Sequence, residues 1–95
     1  MIAQNIPIAV FRLGRIVATP NALETITQDD ILLGIRRHQA GDWGKLPDED
    51  RTANDRALAQ GGRIFSAYHA CNGTKFWIIT EADRSVTTVL LPEDY

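Results

Sequence analysis

The stretch Arg63–Leu91, RIFSAYHACNGTKFWIITEADRSVTTVLL, decides the fold. It contains three runs rich in β-branched and aromatic residues, Arg63 to Ala70, Thr74 to Glu81 and Val86 to Leu91, and this is strand composition. Asn72-Gly73 separates the first two, a dipeptide that accommodates the positive φ angles of a two-residue type I′ hairpin turn. Such a turn predicts His69 opposite Phe76, Tyr68 opposite Trp77 and Ser66 opposite Ile79. Ala82-Asp83-Arg84-Ser85 then reverses the chain, and Pro92 ends the third strand because it cannot donate to a ladder. The expected unit is a three-stranded antiparallel meander. In its middle strand Phe76 and Ile78 alternate with Trp77 and Ile79, so both faces are apolar and both need cover. Helices can cover one face; the N-terminal segment or a partner must cover part of the other.

Upstream, Ile6 to Ala18 (IPIAVFRLGRIVA) reads as a strand or a short hairpin bent around Gly14. Thr19-Pro20 supplies a capping hydroxyl and a first-turn proline for a short helix reaching about Ile26. Thr27-Gln28-Asp29-Asp30 starts a second helix, with Ile31, Leu32, Ile35 and Gln39 at helical spacing and Arg36, Arg37 and His38 near its end. Gly41 stops it. Beyond a loop holding Trp43 and Gly44, Pro47-Asp48-Glu49-Asp50 opens a third helix that ends at Gly61-Gly62. The expected fold is a single α+β domain over residues 1–95: a strand, two or three helices, then the meander packed against the helices.

Composition narrows the function classes. Ten Lys plus Arg against twelve Asp plus Glu give a formal charge of −2, which disfavours a broad electrostatic grip on nucleic acid. Neither Ile31–Leu33 nor Phe76–Ile79 approaches the roughly 20 apolar residues of a membrane helix, and Met1–Val10 lacks a secretory pattern, so a cytoplasmic protein without a membrane partner is expected. Cys71 is the only cysteine, which excludes an internal disulfide and a multi-cysteine zinc site. Asp48, Glu49, Asp50, Asn54 and Asp55 lack the alternation and central glycine of a calcium loop and suit a helix N-terminus. Gly41-Asp42-Trp43-Gly44 is no phosphate loop either. No metal and no cofactor are expected.

The candidate site residues fall into two sets. Arg36, Arg37 and His38 read either as a phosphate-binding patch with a histidine acid–base or as a basic helix end that complements the macrodipole. Arg63, Ser66, Tyr68, Arg84, Thr87 and Thr88 could contact phosphate or ribose, and are equally ordinary strand and turn residues. Trp43 is either an anchor for its loop or an exposed hot spot, and Trp77 belongs to the apolar excess on the second face.

Two stretches, His38-Gln39-Ala40-Gly41-Asp42-Trp43-Gly44 and FWIITEADRSVTTVLLPEDY from Phe76 to Tyr95, resemble a family of small hypothetical proteins carried by bacterial plasmids, phages and other mobile elements. Separately, the element order is similar to that of the RelE and ParE toxins and of barnase-like and colicin-like ribonucleases. That likeness implies metal-independent RNA cleavage, with His38, Arg63, Tyr68, Arg84 and Thr87 as the catalytic candidates. Two functions follow. The first is a mobile-element accessory protein that binds a protein partner, such as a host defence component, through Trp43, Trp77, Arg36 and Arg37. The second is a toxin-type ribonuclease acting on RNA. Self-association into a homodimer through an uncovered sheet face or edge is a third.

Overall fold

The computed structural model describes residues 9–95. Strand β1 (Arg15–Ala18) is followed by helices α1 (Pro20–Thr25), α2 (Gln28–Gln39) and α3 (Asp48–Gln60). Strands β2 (Ile64–His69), β3 (Lys75–Thr80) and β4 (Val86–Leu90) complete the sheet, and a 3-10 turn spans Pro92–Asp94. The α+β class and the C-terminal antiparallel meander match the sequence reading. The helix starts are built as the sequence implies: Thr19 Oγ1 accepts from Ala22 N–H at 3.1 Å, and Thr27 Oγ1 from Asp30 N–H at 3.2 Å.

The sheet has four strands rather than three, in the order β1-β4-β3-β2, with β1 lying parallel to β4. Only Arg15–Ala18 of the predicted N-terminal strand is extended in the sheet, and the Ile6 to Ile8 part of that prediction lies outside the described residues.

The β2–β3 register differs from the predicted one by one residue. Tyr68 pairs with Phe76, His69 with Lys75 and Ser66 with Ile78. The cause is the turn. Ala70 N–H donates to Thr74 O at 2.8 Å and Gly73 N–H to Ala70 O at 2.9 Å, so the loop holds three residues, Cys71 to Gly73. Gly73 alone in this loop has a positive φ, 87°, as in a turn closed by a left-handed glycine rather than a type I′ pair. The shift brings Ser66 and Tyr68 onto the same face as Phe76 and Ile78.

That face carries the main core. Ile64, Ser66, Tyr68, Phe76, Ile78, Thr80, Thr87 and Val89 are all buried on it. Burying side chains such as Phe76, Ile78 and Val89 contributes about 1.5–3 kcal/mol each. Helix α2 comes close because it has Gly34 at the contact: a Cβ there would lie 2.9 Å from the Phe76 ring. The described N-terminal residues join this same side. Phe11 packs edge-on to His38, with ring centroids 5.1 Å apart, and Leu13 is buried. Phe11 and Leu13 therefore do not cover the opposite face, and residues 6–8 of the segment expected to do so lie outside the described residues.

Both neighbours of β2 on its outer side are single residues or short segments rather than strands. Asn54 of α3 acts as a surrogate strand: its Nδ2 donates to Phe65 O at 2.7 Å and its Oδ1 accepts from Phe65 N–H at 3.1 Å. Two residues on, Ala67 N–H donates to Trp43 O at 3.2 Å and Ala67 O accepts from Lys45 N–H at 2.9 Å. An edge closed in this way offers no template for further pairing. Gly44 makes the approach feasible, since its φ is +74° and a Cβ would lie 2.0 Å from Ala67 O.

Gly44 and Gly73 both have positive φ, but nothing lies within 4 Å of a Cβ placed on Gly73. Gly44→Ala should therefore be the more destabilising by at least ~2 kcal/mol in urea unfolding, because it adds a backbone clash to the same conformational strain. Equal losses would show that the β2 edge seal contributes little.

Candidate functional site

The catalytic candidates do not form one cleft. His38 is 0% exposed, sealed between α2 and the sheet. Its Nδ1 lies 2.5 Å from Ser66 Oγ and its Nε2 2.9 Å from Thr80 Oγ1. Thr80 Oγ1 is 2.7 Å from Thr87 Oγ1, which donates to Leu13 O at 2.7 Å. The carbonyl at the end fixes the direction of every proton. Thr87 has one hydroxyl proton and gives it to Leu13, so Thr80 donates to Thr87. Thr80 must then accept from His38 Nε2–H, which leaves Nδ1 as the acceptor for the Ser66 hydroxyl. The imidazole is neutral, and its pKa is lowered to about 3 by desolvation and, secondarily, by the positive charge of Arg84. A general acid–base would need a pKa near the operating pH and access to substrate. His38 and Thr87 have neither role open to them in this arrangement.

The other three lie elsewhere. Tyr68 is buried beside α2, donates its hydroxyl to Asp42 O at 2.6 Å, and has its pKa raised by burial. The Arg84 guanidinium donates to Gly62 O at 2.6 Å, to Ala57 O at 3.1 Å, and to Glu81 O and Ala82 O at 3.1 Å each. It ties the β3–β4 loop to the end of α3, and Arg84 itself has φ 61°. Arg63 sits on the far face of the sheet, beside Glu81 and Tyr95.

Among the binding candidates, Trp43 is only 4% exposed and packs with Phe11 and His38, so it anchors its loop. Arg37 forms a two-point pair with Asp42, at 2.7 and 3.2 Å, and its guanidinium lies 4.7 Å over the Tyr68 ring. The pair raises the Arg37 pKa and lowers that of Asp42. Arg36 is exposed. No cluster of metal-binding side chains occurs among the described residues.

Trp77 is different. It lies on the second face, edge-on to Phe65 at 5.0 Å and to Tyr95 at 5.9 Å between centroids. Together with Arg63 and Ile79 these rings line an open groove of about 290 Å³. The 3-10 turn delivers Tyr95 to this place. Asp94 holds that turn down by accepting from Thr19 Oγ1 at 2.6 Å, Asn21 Nδ2 at 2.7 Å and Leu91 N–H at 3.1 Å. Tyr95 remains 72% exposed, with its hydroxyl 3.1 Å from Arg63 Nη1, a bond that raises the arginine pKa. Arg63 is 3.8 Å from Glu81 and its guanidinium lies 5.6 Å over the Tyr95 ring.

Basic side chains also lie on this face. Arg15 pairs with Val86 and Lys75 with His69 on this face, and Arg63 lies there beside Glu81, the acid nearest to it among the described residues, on a chain of net charge −2. Sequence reasoning found Trp77 and Arg63 but assigned them to separate sites, and it missed Tyr95. The signal for Tyr95 was the uncovered second face together with Pro92, which turns the chain back.

Two measurements check the structural roles. Folded His38 resists protonation down to about pH 3, whereas the unfolded chain protonates it near its ordinary 6.5. Below that value the unfolded state binds the extra proton, so stability falls as pH falls, by up to ~1.4 kcal/mol per unit. Between pH ~7 and ~5.5, above the range where Asp and Glu of the unfolded chain take up protons, His38→Gln should remove most of this slope in urea titrations; a slope that persists there places its origin elsewhere. Arg84→Ala should cost about 2 kcal/mol of stability through its lost carbonyl contacts, and a variant of unchanged stability would overturn the clamp.

Compared with known proteins, the chain matches no family model, no curated protein and no solved structure.

Proposed function

We propose that the protein is a non-catalytic binding module that docks the second face of its sheet onto a protein partner. The observation that carries this reading is the groove between Arg63, Phe65, Trp77, Ile79 and Tyr95. Tryptophan, tyrosine and arginine dominate binding energy at protein interfaces, and here all three border one apolar hollow. The partner that fits it presents an aromatic or branched side chain to the hollow, with a carboxylate beside it for Arg63. The excess of Arg15, Arg63 and Lys75 over Glu81 supports an acidic contact surface. The sequence resemblance to small mobile-element proteins supports an accessory role of this kind, with a host defence component as the partner.

The ribonuclease alternative has less support, because His38, Thr87 and Tyr68 are buried and Arg84 is engaged with four carbonyls. No helix among the described residues is long and apolar enough to cross a membrane, in keeping with a partner met outside one.

Tyr95→Ala and Arg63→Glu change exposed side chains and should leave the fold intact. Each should weaken partner binding by at least about tenfold when bait protein and variants are titrated against the captured partner. A partner that binds both variants as well as the native chain would remove the groove from the interface. Metal-independent RNA cleavage by the native protein that is lost in Arg63→Glu would favour the nuclease instead.

A further inference from the structure

Helix α2 has two stripes at the same three- and four-residue spacing, and they face opposite ways. Ile31, Gly34, Ile35 and His38 point to the sheet: Gly34 meets Phe76 and Ile78, and His38 bonds Ser66 and Thr80. On the opposite side lie Asp29, Leu32, Leu33 and Arg36, all exposed. An outward helix face is ordinarily polar, yet this one centres on two leucines that are 49% and 56% exposed. Leu32 also borders a shallow apolar groove of about 350 Å³ with Ile16, Leu23 and Ile35.

The order of charges along this stripe is what identifies the occupant. Acid stands one turn before the leucines and base one turn after them. Neither Asp29 nor Arg36 forms an ion pair among the described residues, whereas the adjacent Arg37 is taken by Asp42. When two such helices pack antiparallel about a two-fold axis between Leu32 and Leu33, Leu32 meets the partner's Leu33, and Asp29 lies level with the partner's Arg36. The same contact recurs on the other side of the axis, which is the self-complementarity an isologous interface demands. Parallel packing would instead set Asp29 beside the partner's Asp29 and Arg36 beside the partner's Arg36.

We infer that the outward stripe Asp29-Leu32-Leu33-Arg36 is the interface through which two copies of this chain pair antiparallel, α2 on α2. Because the stripe faces away from the sheet, the dimer has the layers sheet, helix, helix, sheet, and both Arg63–Trp77–Tyr95 grooves remain on its outer surfaces. The dimer is thus bivalent for a partner with repeated sites, and linkage of two grooves raises avidity without new contacts. The pairing itself does not depend on what the grooves bind.

Sedimentation of the full chain over a concentration series tests it, with circular dichroism confirming that each variant is folded. The native chain should show a reversible monomer–dimer equilibrium. Asp29→Arg and Arg36→Asp should each weaken self-association at least about tenfold, because each sets like charges against each other at both ends of the stripe. Mixed in equal amounts, the two variants should form a heterodimer, since Asp29→Arg presents two arginines and Arg36→Asp two aspartates. Leu33→Asp should abolish pairing in every combination. A native chain that is monomeric at all concentrations, a dimer unaffected by the single charge changes, or variants that fail to pair with each other would each overturn the inference. Tyr95→Ala should dimerise like the native chain, which separates this interface from the groove.

Discussion

The buried imidazole of His38 is the constraint on which the rest of the structure depends. One hydrogen-bond chain runs from Ser66 of β2 through His38 of α2 to Thr80 of β3, Thr87 of β4 and the Leu13 carbonyl. It joins five segments of the chain, from Leu13 to Thr87, and it lies where water cannot substitute for a missing partner. Left unpaired, each of these buried groups would cost about 1–3 kcal/mol. Among the described residues no buried side-chain polar atom lacks a partner. The chain therefore acts as a registration device. A one-residue slip of β2 against β3, which the predicted type I′ turn would have produced, removes Ser66 from the helix side and breaks the chain at its first link.

That constraint also divides the molecule by role. The helix face of the sheet is consumed by packing, with Phe76, Ile78 and Val89 against the helices and Phe11 and Leu13 closing over the histidine. The outer side of β2 is closed by Asn54 and by the Trp43–Lys45 segment. Residues that look chemical in the sequence are accordingly used for structure: Arg84 clamps loops, Tyr68 tethers the Asp42 backbone and Trp43 fills the second small core with Ala57 and Ile64. What the packing leaves is surface that the fold covers only in part. The aromatic groove of the second sheet face and the outward leucines of α2 are two apolar places where packing was not completed from within the described chain.

Much of this architecture was legible in the sequence because it depends on local physics. Thr19 and Thr27 cap helices through hydroxyls three residues from the amides they accept from, and alternation in Phe76–Ile79 reveals a strand apolar on both sides. The site was less legible. Asn54 sits among acids and looks like a solvated helix start, yet it serves as a strand surrogate, a role set by α3 docking on β2. Tyr95 is distant in sequence from Arg63, and only the 3-10 turn held by Asp94 brings the two together.

The sequence by itself determined the α+β class, the helix boundaries, the meander and the fact that its middle strand needs cover on two faces. Each of these rests on periodicity, capping and turn chemistry within a dozen residues. Tertiary structure decided which apolar face the described residues leave open, whether His38 is an acid–base or a buried strut, and where β1 joins. Those outcomes depend on pairings between segments dozens of residues apart. There the choice among competing partners is made by how completely the buried hydrogen bonds close, not by the propensity of any one segment.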